Sequence, residues 1–274
     1  MAFKLFDYQS SGKGVSKSAP QKKPFFKYWE IFGRKFWKLI ELNMLYVLFC
    51  IPIITFGPAT AALTHVMRKF ILEQPCFVFD EFFTAFKKNF KQSVFIGIVD
   101  VIMIVSVWIA CFQFLMNESL PDGSLVFICI MICCATLVFI MHFYIYLEIV
   151  ALNLSIGSIL KNAVFLVFLG VKSNFIALII NLVIISLIVL FLPFSVFAVI
   201  FLPLSLMCFT TTFICYPVIQ KYIVNPYYEE RGERNPELGS ITEEDIAENA
   251  VFVDRGGSEK EIKATPKAHG KVIK

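Results

Sequence analysis

Long apolar blocks dominate the middle of the chain, and charged residues collect towards its two ends. Four apolar runs, at residues 94–116, 125–150, 173–195 and 196–222, each have the length that a bilayer-spanning helix needs, about 20 residues. Apolar and polar residues do not alternate within these runs, as they would in the strands of a membrane barrel. The pattern therefore predicts an all-α, polytopic helical membrane protein with four long spans.

A fifth apolar stretch, residues 39–66, contains helix breakers in its central part, FCIPIITFGPATAAL. The breakers and the polar residues beside them are Pro52, Thr55, Gly57, Pro58 and Thr60. We expect the chain to reverse direction here and to form a short hairpin over residues 39–72. The hairpin either reaches the far side of the membrane with tilt or ends part-way as a re-entrant loop, where the two threonines would satisfy exposed backbone groups.

The breakers have separate expected roles in this reversal. Pro58 lacks an N–H group and suits the first turn of the returning helix. Gly57 is expected to adopt a left-handed turn conformation, which glycine enters without strain. We therefore predict that Gly57→Leu destabilises the protein more than Gly97→Leu, since Gly97 lies within an uninterrupted span.

Basic residues set the predicted orientation, because Lys and Arg accumulate on the cytoplasmic side of a membrane. One basic group precedes the hairpin and a second follows it, whereas loop 117–124 has no Lys or Arg. A hairpin places both basic groups on one side and the loop on the other. The sequence thus predicts a multi-pass protein of the cell membrane with both termini in the cytoplasm.

Two amphipathic segments with lysine-rich faces, 79–93 and 154–174, each precede a pair of spans. We expect both to be cytoplasmic amphipathic helices at the membrane surface. The candidate docking residues on them are Lys87, Lys88, Lys91 and Lys161. Both segments also contain a Lys-Asn pair. This likeness is compatible with a parallel repeat, as in transport-related folds, and equally with a chance similarity of two surface helices.

Composition divides the chain into three regions. The whole chain is 58 % hydrophobic and only 17 % charged, whereas a soluble domain has about a quarter of its residues charged. The predicted regions are a disordered basic arm at 1–24, a transmembrane domain at 25–225 and a disordered charged cytoplasmic tail at 226–274. The tail has too few large apolar residues to offset the entropy lost on ordering.

Ionisable residues within apolar runs are candidates for function, because a charge at membrane depth is costly. The candidate intramembrane polar site consists of Asp100, His142 and Glu148. Asp100 and Glu148 are expected at similar depth, where they either flank a polar pocket or form structural ion pairs. Asparagines within or beside the spans are instead expected to form hydrogen bonds between helices. They are Asn43, Asn153, Asn174 and Asn181.

Motifs of common catalytic sites are missing from the sequence. It contains no GxxxxGK[ST] phosphate-binding loop, no HExxH and no GxSxG. The adjacent Cys133 and Cys134 would point about 100° apart on a helix, without ligand partners at the spacing of a metal site. We therefore expect a non-enzymatic protein without cofactor or metal, whose partners are the lipid bilayer and other proteins rather than nucleic acid.

The hairpin sequence ELNMLYVLFCIPIITFGPATAALTHVMRKF resembles the signature of the YesL-like family of bacterial integral membrane proteins. In that family an Asn-led apolar run enters a P-[IV]-[VIF]-T-x-G-P-A-T-A-A-L turn. The matching residues are Asn43, Pro52, Thr55, Gly57, Pro58, Ala59, Thr60, Ala61, Ala62 and Leu63. FFTAFKKNFKQS, residues 82–93, resembles a second family motif, and LKNA, residues 160–163, a third. The resemblance covers about residues 25–225.

This resemblance implies a role but not a mechanism. The biochemical role of the family is not established, and its members are often encoded beside sugar ABC importers and sensor kinases. It implies an accessory or regulatory subunit of carbohydrate ABC uptake systems, with importer permease or ATPase subunits as partners. An independent small-solute transporter or channel and a membrane sensor component are the alternatives.

Overall fold

The computed structural model describes residues 23–116 and 124–232, together with residues 235 and 237. The α-helices in these residues are α1 (Pro24–Cys50), α2 (Phe56–Ile71), α3 (Val78–Met116), α4 (Ser124–Ala151), α5 (Ile156–Leu169), α6 (Val171–Leu190), α7 (Ser195–Phe201), α8 (Pro203–Ile219) and α9 (Asn225–Arg231). A π-helical turn, Gln220–Val224, joins α8 to α9. Within the described residues, four helical stretches are long and apolar enough to cross a membrane, in α3, α4, α6 and α8 with its continuation through α9. The predicted all-α polytopic fold is confirmed.

The chain reverses between α1 and α2, as predicted. Ile51 and Pro52 follow α1, and a short 3₁₀ turn, Ile53–Thr55, leads into α2. Contacts near both ends of the pair show that the two helices run antiparallel: the Tyr46 hydroxyl lies 3.1 Å from Thr60 Oγ1, and Arg34 forms an ion pair with Glu73 at 2.5 Å. The segment 39–72 is therefore a helical hairpin.

The second arm of this hairpin is the most enclosed part of the fold. Helix α2 has only 16 residues, yet it packs against α1, α3, α4 and α8. Most of its side chains are buried, and Ala59, Ala61 and Ala62 are fully buried. Small side chains let neighbouring helices approach closely. The GPATAAL sequence therefore packs against neighbouring helices, and the turn lies before it.

Gly57 and Gly97 meet where α2 crosses α3. A Cβ atom added at Gly57 would lie 1.9 Å from the backbone oxygen of Ser93, and one added at Gly97 would lie 2.6 Å from the Cα atom of Gly57. Gly57 is in the first turn of α2, and the only glycine with a positive φ among the described residues is Gly232. The expected left-handed turn at Gly57 is wrong. Gly97 lies within an uninterrupted helix as expected, but at the same close helix crossing as Gly57.

Helix α3 merges two elements that the sequence analysis separated. The predicted surface helix at 79–93 and the predicted span at 94–116 form one continuous helix of 39 residues. The change from charged to apolar composition near residue 93 contains no proline, so nothing in the backbone ends the helix there. The second amphipathic segment, 154–174, is instead divided at Gly170 between α5 and α6. The two segments of the suggested repeat thus differ in architecture.

The last predicted span, 196–222, is also divided. Helix α7 ends at Phe201, and α8 begins at Pro203 after an irregular residue, Leu202. Proline has no N–H group to continue the hydrogen-bond ladder of the preceding helix, which explains the break.

The predicted terminal regions lie largely outside the described residues. The residues outside the description are the basic arm up to residue 22, the loop at 117–123, and the tail from residue 233 except residues 235 and 237. Helix α9 extends to Arg231, past the expected start of the tail at 226. In the separate unit that begins at Asn235, the Glu237 N–H donates to the Asn235 side chain at 2.9 Å.

Candidate functional site

Two of the predicted polar residues meet where α3 packs against α4. Asp100 on α3 is only 8 % exposed. Its Oδ1 atom lies 3.2 Å from Nδ1 of His142, and its Oδ2 atom accepts a hydrogen bond of 2.8 Å from the hydroxyl of Tyr146. Residues four positions apart lie on the same face of a helix, so His142 and Tyr146 reach the carboxylate together.

This arrangement compensates a charge inside the candidate spans. A carboxylate removed from water is costly unless it is paired and hydrogen-bonded, and both oxygens of Asp100 have a partner here. The carboxylate also orients the imidazole ring of His142. Since Nδ1 faces Asp100, Nε2 is the ring nitrogen left to meet another molecule.

His142 and Tyr146 also line a cavity of about 150 Å³. Its walls come from α1, α2, α4, α6 and α8. Other polar lining residues are Tyr46, Thr60, Thr64, Asn181, Thr211 and Thr212. The apolar lining includes Leu63, Phe139, Phe143, Leu147, Leu204 and Met207. The cavity therefore combines apolar walls with hydroxyl, amide and imidazole groups.

Polar groups of the cavity wall already form hydrogen bonds within the protein, both between helices and within one helix. Asn181 Nδ2 donates to Thr211 Oγ1 at 2.9 Å, which links α6 to α8. Thr64 Oγ1 donates to the carbonyl oxygen of Thr60 at 2.8 Å. None of the described residues that line the cavity is Asp, Glu, Lys or Arg. The wall thus offers hydrogen-bonding groups but no permanent charge.

Glu148 does not join this site. It is fully buried, and its Oε2 atom lies 3.3 Å from Nδ2 of Asn162 on α5. No described residue forms a hydrogen bond with its Oε1 atom. Glu148 therefore has a different partner from Asp100, and neither acid is among the residues that line the cavity.

Asn43 was expected only to form a hydrogen bond between helices, and the structure gives it a more specific role. Its side chain is fully buried and faces the break between α7 and α8. Nδ2 donates to the carbonyl oxygens of Val199 at 2.8 Å and Ile200 at 2.7 Å, and Oδ1 accepts from the Ser205 N–H at 2.8 Å. A continuous helix would pair Val199 O with the N–H of residue 203, which Pro203 lacks.

Asn43 therefore serves the backbone groups on both sides of the break. It acts as a cap from another helix for the start of α8, where the first N–H groups have no partner within the helix. Pro203 within an apolar run was the sequence signal for such a break, but not for its distant partner. The other expected bridges include Asn174, which accepts from the Tyr144 hydroxyl, and Asn181, whereas Asn153 is exposed.

Residues 39–111 match the model of a family described as a protein of unknown function, DUF624. No curated protein and no solved structure matches the chain. The matched segment contains the end of α1, all of α2 and most of α3. It therefore includes Asn43, Asp100 and the crossing of Gly57 with Gly97, while His142 lies outside it.

Within the matched segment, the predicted turn residues form hydrogen bonds with the backbone or lie in the first turn of α2. Thr55 Oγ1 is within 2.6 Å of the Phe49 carbonyl oxygen and 2.7 Å of the Pro52 carbonyl oxygen. Thr60 Oγ1 donates to the carbonyl oxygen of Phe56 at 2.8 Å, and Pro58 lies in the first turn of α2. The two threonines thus satisfy carbonyl groups at the reversal.

The four candidate docking lysines are all exposed: Lys87, Lys88, Lys91 and Lys161. None of them forms an ion pair with a residue in the described part of the chain. Gln92 Nε2 donates to the carbonyl oxygen of Leu154 at 3.0 Å, so the lysine-bearing part of α3 lies beside the chain that enters α5.

Cys76, in the connection between α2 and α3, is buried. Burial raises the pKa of its thiol, which lowers the fraction of reactive thiolate. Cys76 would therefore resist labelling whichever side of the membrane it faces, and its labelling does not report the orientation of the chain.

Proposed function

We propose that this chain is a non-enzymatic accessory or regulatory subunit of a carbohydrate ABC uptake system. The observation that carries the proposal is the exposed lysine group on α3 and α5, which has no ion-pair partner among the described residues. The resemblance of the hairpin sequence to a family encoded beside sugar ABC importers supplies the class of partner.

The position of the lysines suits contact with a partner at the membrane surface. Lys87, Lys88 and Lys91 precede the long apolar part of the same helix, and basic residues favour the cytoplasmic end of a span. Lys91 and Asp100 are nine positions apart on α3, which corresponds to about 14 Å along the helix axis. Because α3 is continuous, movement of the lysine-bearing end on docking would be transmitted to Asp100.

Copurification of native partners tests this function. A tagged chain, solubilised from its own membranes under mild conditions, should bring down importer permease or ATPase subunits. Changing Lys87, Lys88 and Lys91 to Glu should abolish this association. The matched control changes three other exposed lysines, which are Lys27, Lys172 and Lys221. Failure to recover any importer subunit, or equal loss in both triple variants, would contradict the docking proposal.

The second candidate is an independent small-solute transporter, and the cavity beside His142 favours it. Uptake of labelled glycerol or monosaccharides into liposomes containing only this protein would support it. A His142→Phe variant should then lose uptake. Liposomes that take up no more label than empty ones would exclude transport of these solutes by the isolated protein.

A further inference from the structure

We propose that the cavity lined by His142 binds one small, uncharged molecule that has an apolar body and a single hydroxyl group. The hydroxyl would donate to Nε2 of His142, while the body would contact the aromatic and aliphatic wall. This proposal concerns a ligand site and does not depend on the docking role of the lysines.

The size of the cavity limits the ligand. A cavity of about 150 Å³ is comparable to an engineered protein cavity that holds one benzene molecule. A membrane lipid or a disaccharide is much larger than this. The part of the ligand that the cavity holds is therefore of the size of a single substituted ring or a short branched alcohol.

The charges around the cavity exclude an ionic ligand. Asp100 contacts two of the lining residues, and these residues, His142 and Tyr146, already occupy its two oxygens. No Asp, Glu, Lys or Arg is among the described lining residues, so an ammonium or carboxylate ligand would have no counter-ion. An isolated charge in such surroundings is strongly unfavourable.

The orientation of His142 specifies a donor on the ligand. In the neutral tautomer that donates Nδ1–H to Asp100, Nε2 carries a lone pair and accepts a hydrogen bond. The carboxylate holds the ring in place, so the acceptor is positioned before a ligand arrives. A hydroxyl group supplies the donor without introducing a charge.

The break between α7 and α8 lies at the wall of the same cavity. Leu204, a lining residue, directly follows Pro203 at the start of α8. Irregular backbone at membrane depth is tolerated where it is packed in protein or lines a cavity, and interrupted helices mark many binding sites in transporters. The cavity thus lies beside a discontinuity that Asn43 stabilises.

Four probes of similar size and different head groups test the proposal: benzyl alcohol, toluene, benzylammonium and benzoate. The first readout is modification of Cys208 by N-ethylmaleimide, followed by peptide mass spectrometry, because Cys208 lines the cavity. Cys133, exposed on α4 and not part of the lining, is an internal control. The second readout is the thermal unfolding midpoint in detergent.

Benzyl alcohol at about ten times its dissociation constant should slow modification of Cys208 by about tenfold and raise the unfolding midpoint. It should bind about fivefold more tightly than toluene, because one additional hydrogen bond forms. The two ionic probes should have no effect. His142→Phe, which keeps a ring in the wall, should remove the preference for benzyl alcohol over toluene while toluene still protects Cys208.

Three results would overturn the proposal. The first is equal protection of Cys208 and Cys133, which would indicate a general effect of the probe on the protein. The second is protection by benzylammonium or benzoate that matches benzyl alcohol. The third is an unchanged preference for benzyl alcohol in a folded His142→Phe protein, judged by its elution as a single species on size exclusion.

Discussion

Gly97→Ala should destabilise the protein, whereas the chemically identical change Gly33→Ala should stabilise it. The added methyl group at position 97 would lie 2.6 Å from both the Cα and the N atoms of Gly57, at the crossing of α2 and α3. At position 33, on the exposed face of α1, it would meet no atom within 4 Å. The two variants therefore separate helix propensity from helix packing.

The magnitude follows from these contacts. Alanine is better than glycine within a helix by about 0.5–1 kcal/mol, and this gain is all that Gly33→Ala experiences. At Gly97 the obstacle is backbone rather than a flexible side chain, so the helices must move apart, and such overpacking costs about 1–3 kcal/mol. The net expectation is a loss of about 2 kcal/mol for Gly97→Ala after the propensity gain is subtracted.

Thermal unfolding of the purified variants in the same detergent checks this difference. A change of 1 kcal/mol shifts the midpoint of a protein of this size by about 2–4 °C. Gly57→Ala should be at least as damaging as Gly97→Ala, since its methyl group would lie 1.9 Å from the Ser93 carbonyl oxygen. If Gly97→Ala is as stable as Gly33→Ala, the close crossing of α2 and α3 is not a determinant of stability.

Further outcomes are expected at the Asn43 cap, the connections and the tail. Asn43→Ala should cost about 1–3 kcal/mol for each buried backbone group left without a partner, whereas the exposed Asn153→Ala should change stability by at most about 0.5 kcal/mol in the same unfolding assay. In an otherwise cysteine-free protein, Ser119→Cys should react with a membrane-impermeant thiol reagent added outside cells, and Phe77→Cys, at a position that is 83 % exposed, should not. Reaction of both, or of Phe77→Cys alone, would contradict the predicted orientation. Truncation after Asn235 should leave expression and monodispersity in detergent unchanged, and loss of either would show that the tail contributes to folding.

The sequence predicted features that depend on local composition. Apolar runs of sufficient length identified the membrane helices, and Pro52 and Pro58 marked a reversal because proline acts on its own backbone neighbours. The sequence did not predict helix ends correctly where the composition changed from charged to apolar without a proline or glycine. Helix α3 shows the reason: the transition near residue 93 changes the surroundings of the helix but not its hydrogen bonds.

The candidate site was predictable only in part. Asp100 and His142 stood out individually as ionisable residues in apolar runs, but their pairing depends on the rotation of α3 against α4. The spacing of residues along one helix could not predict the cavity, which several helices line, or that Glu148 is not part of its lining. The role of Gly97 was missed for the same reason, since its contact is with another helix.

The cap formed by Asn43 also has a consequence for biosynthesis. The donor to its Oδ1 atom, the N–H of Ser205, is 162 positions later in the chain. At translation rates of 5–20 residues per second, the amide waits roughly 10–30 s for that partner. Until then the side-chain amide of Asn43 lacks its final hydrogen bonds. An unsatisfied polar group inside a membrane is energetically costly. A nascent chain that stops before α8 would therefore present an unpaired amide within its first helix, a local difference by which a membrane quality-control protease or chaperone could recognise incomplete molecules.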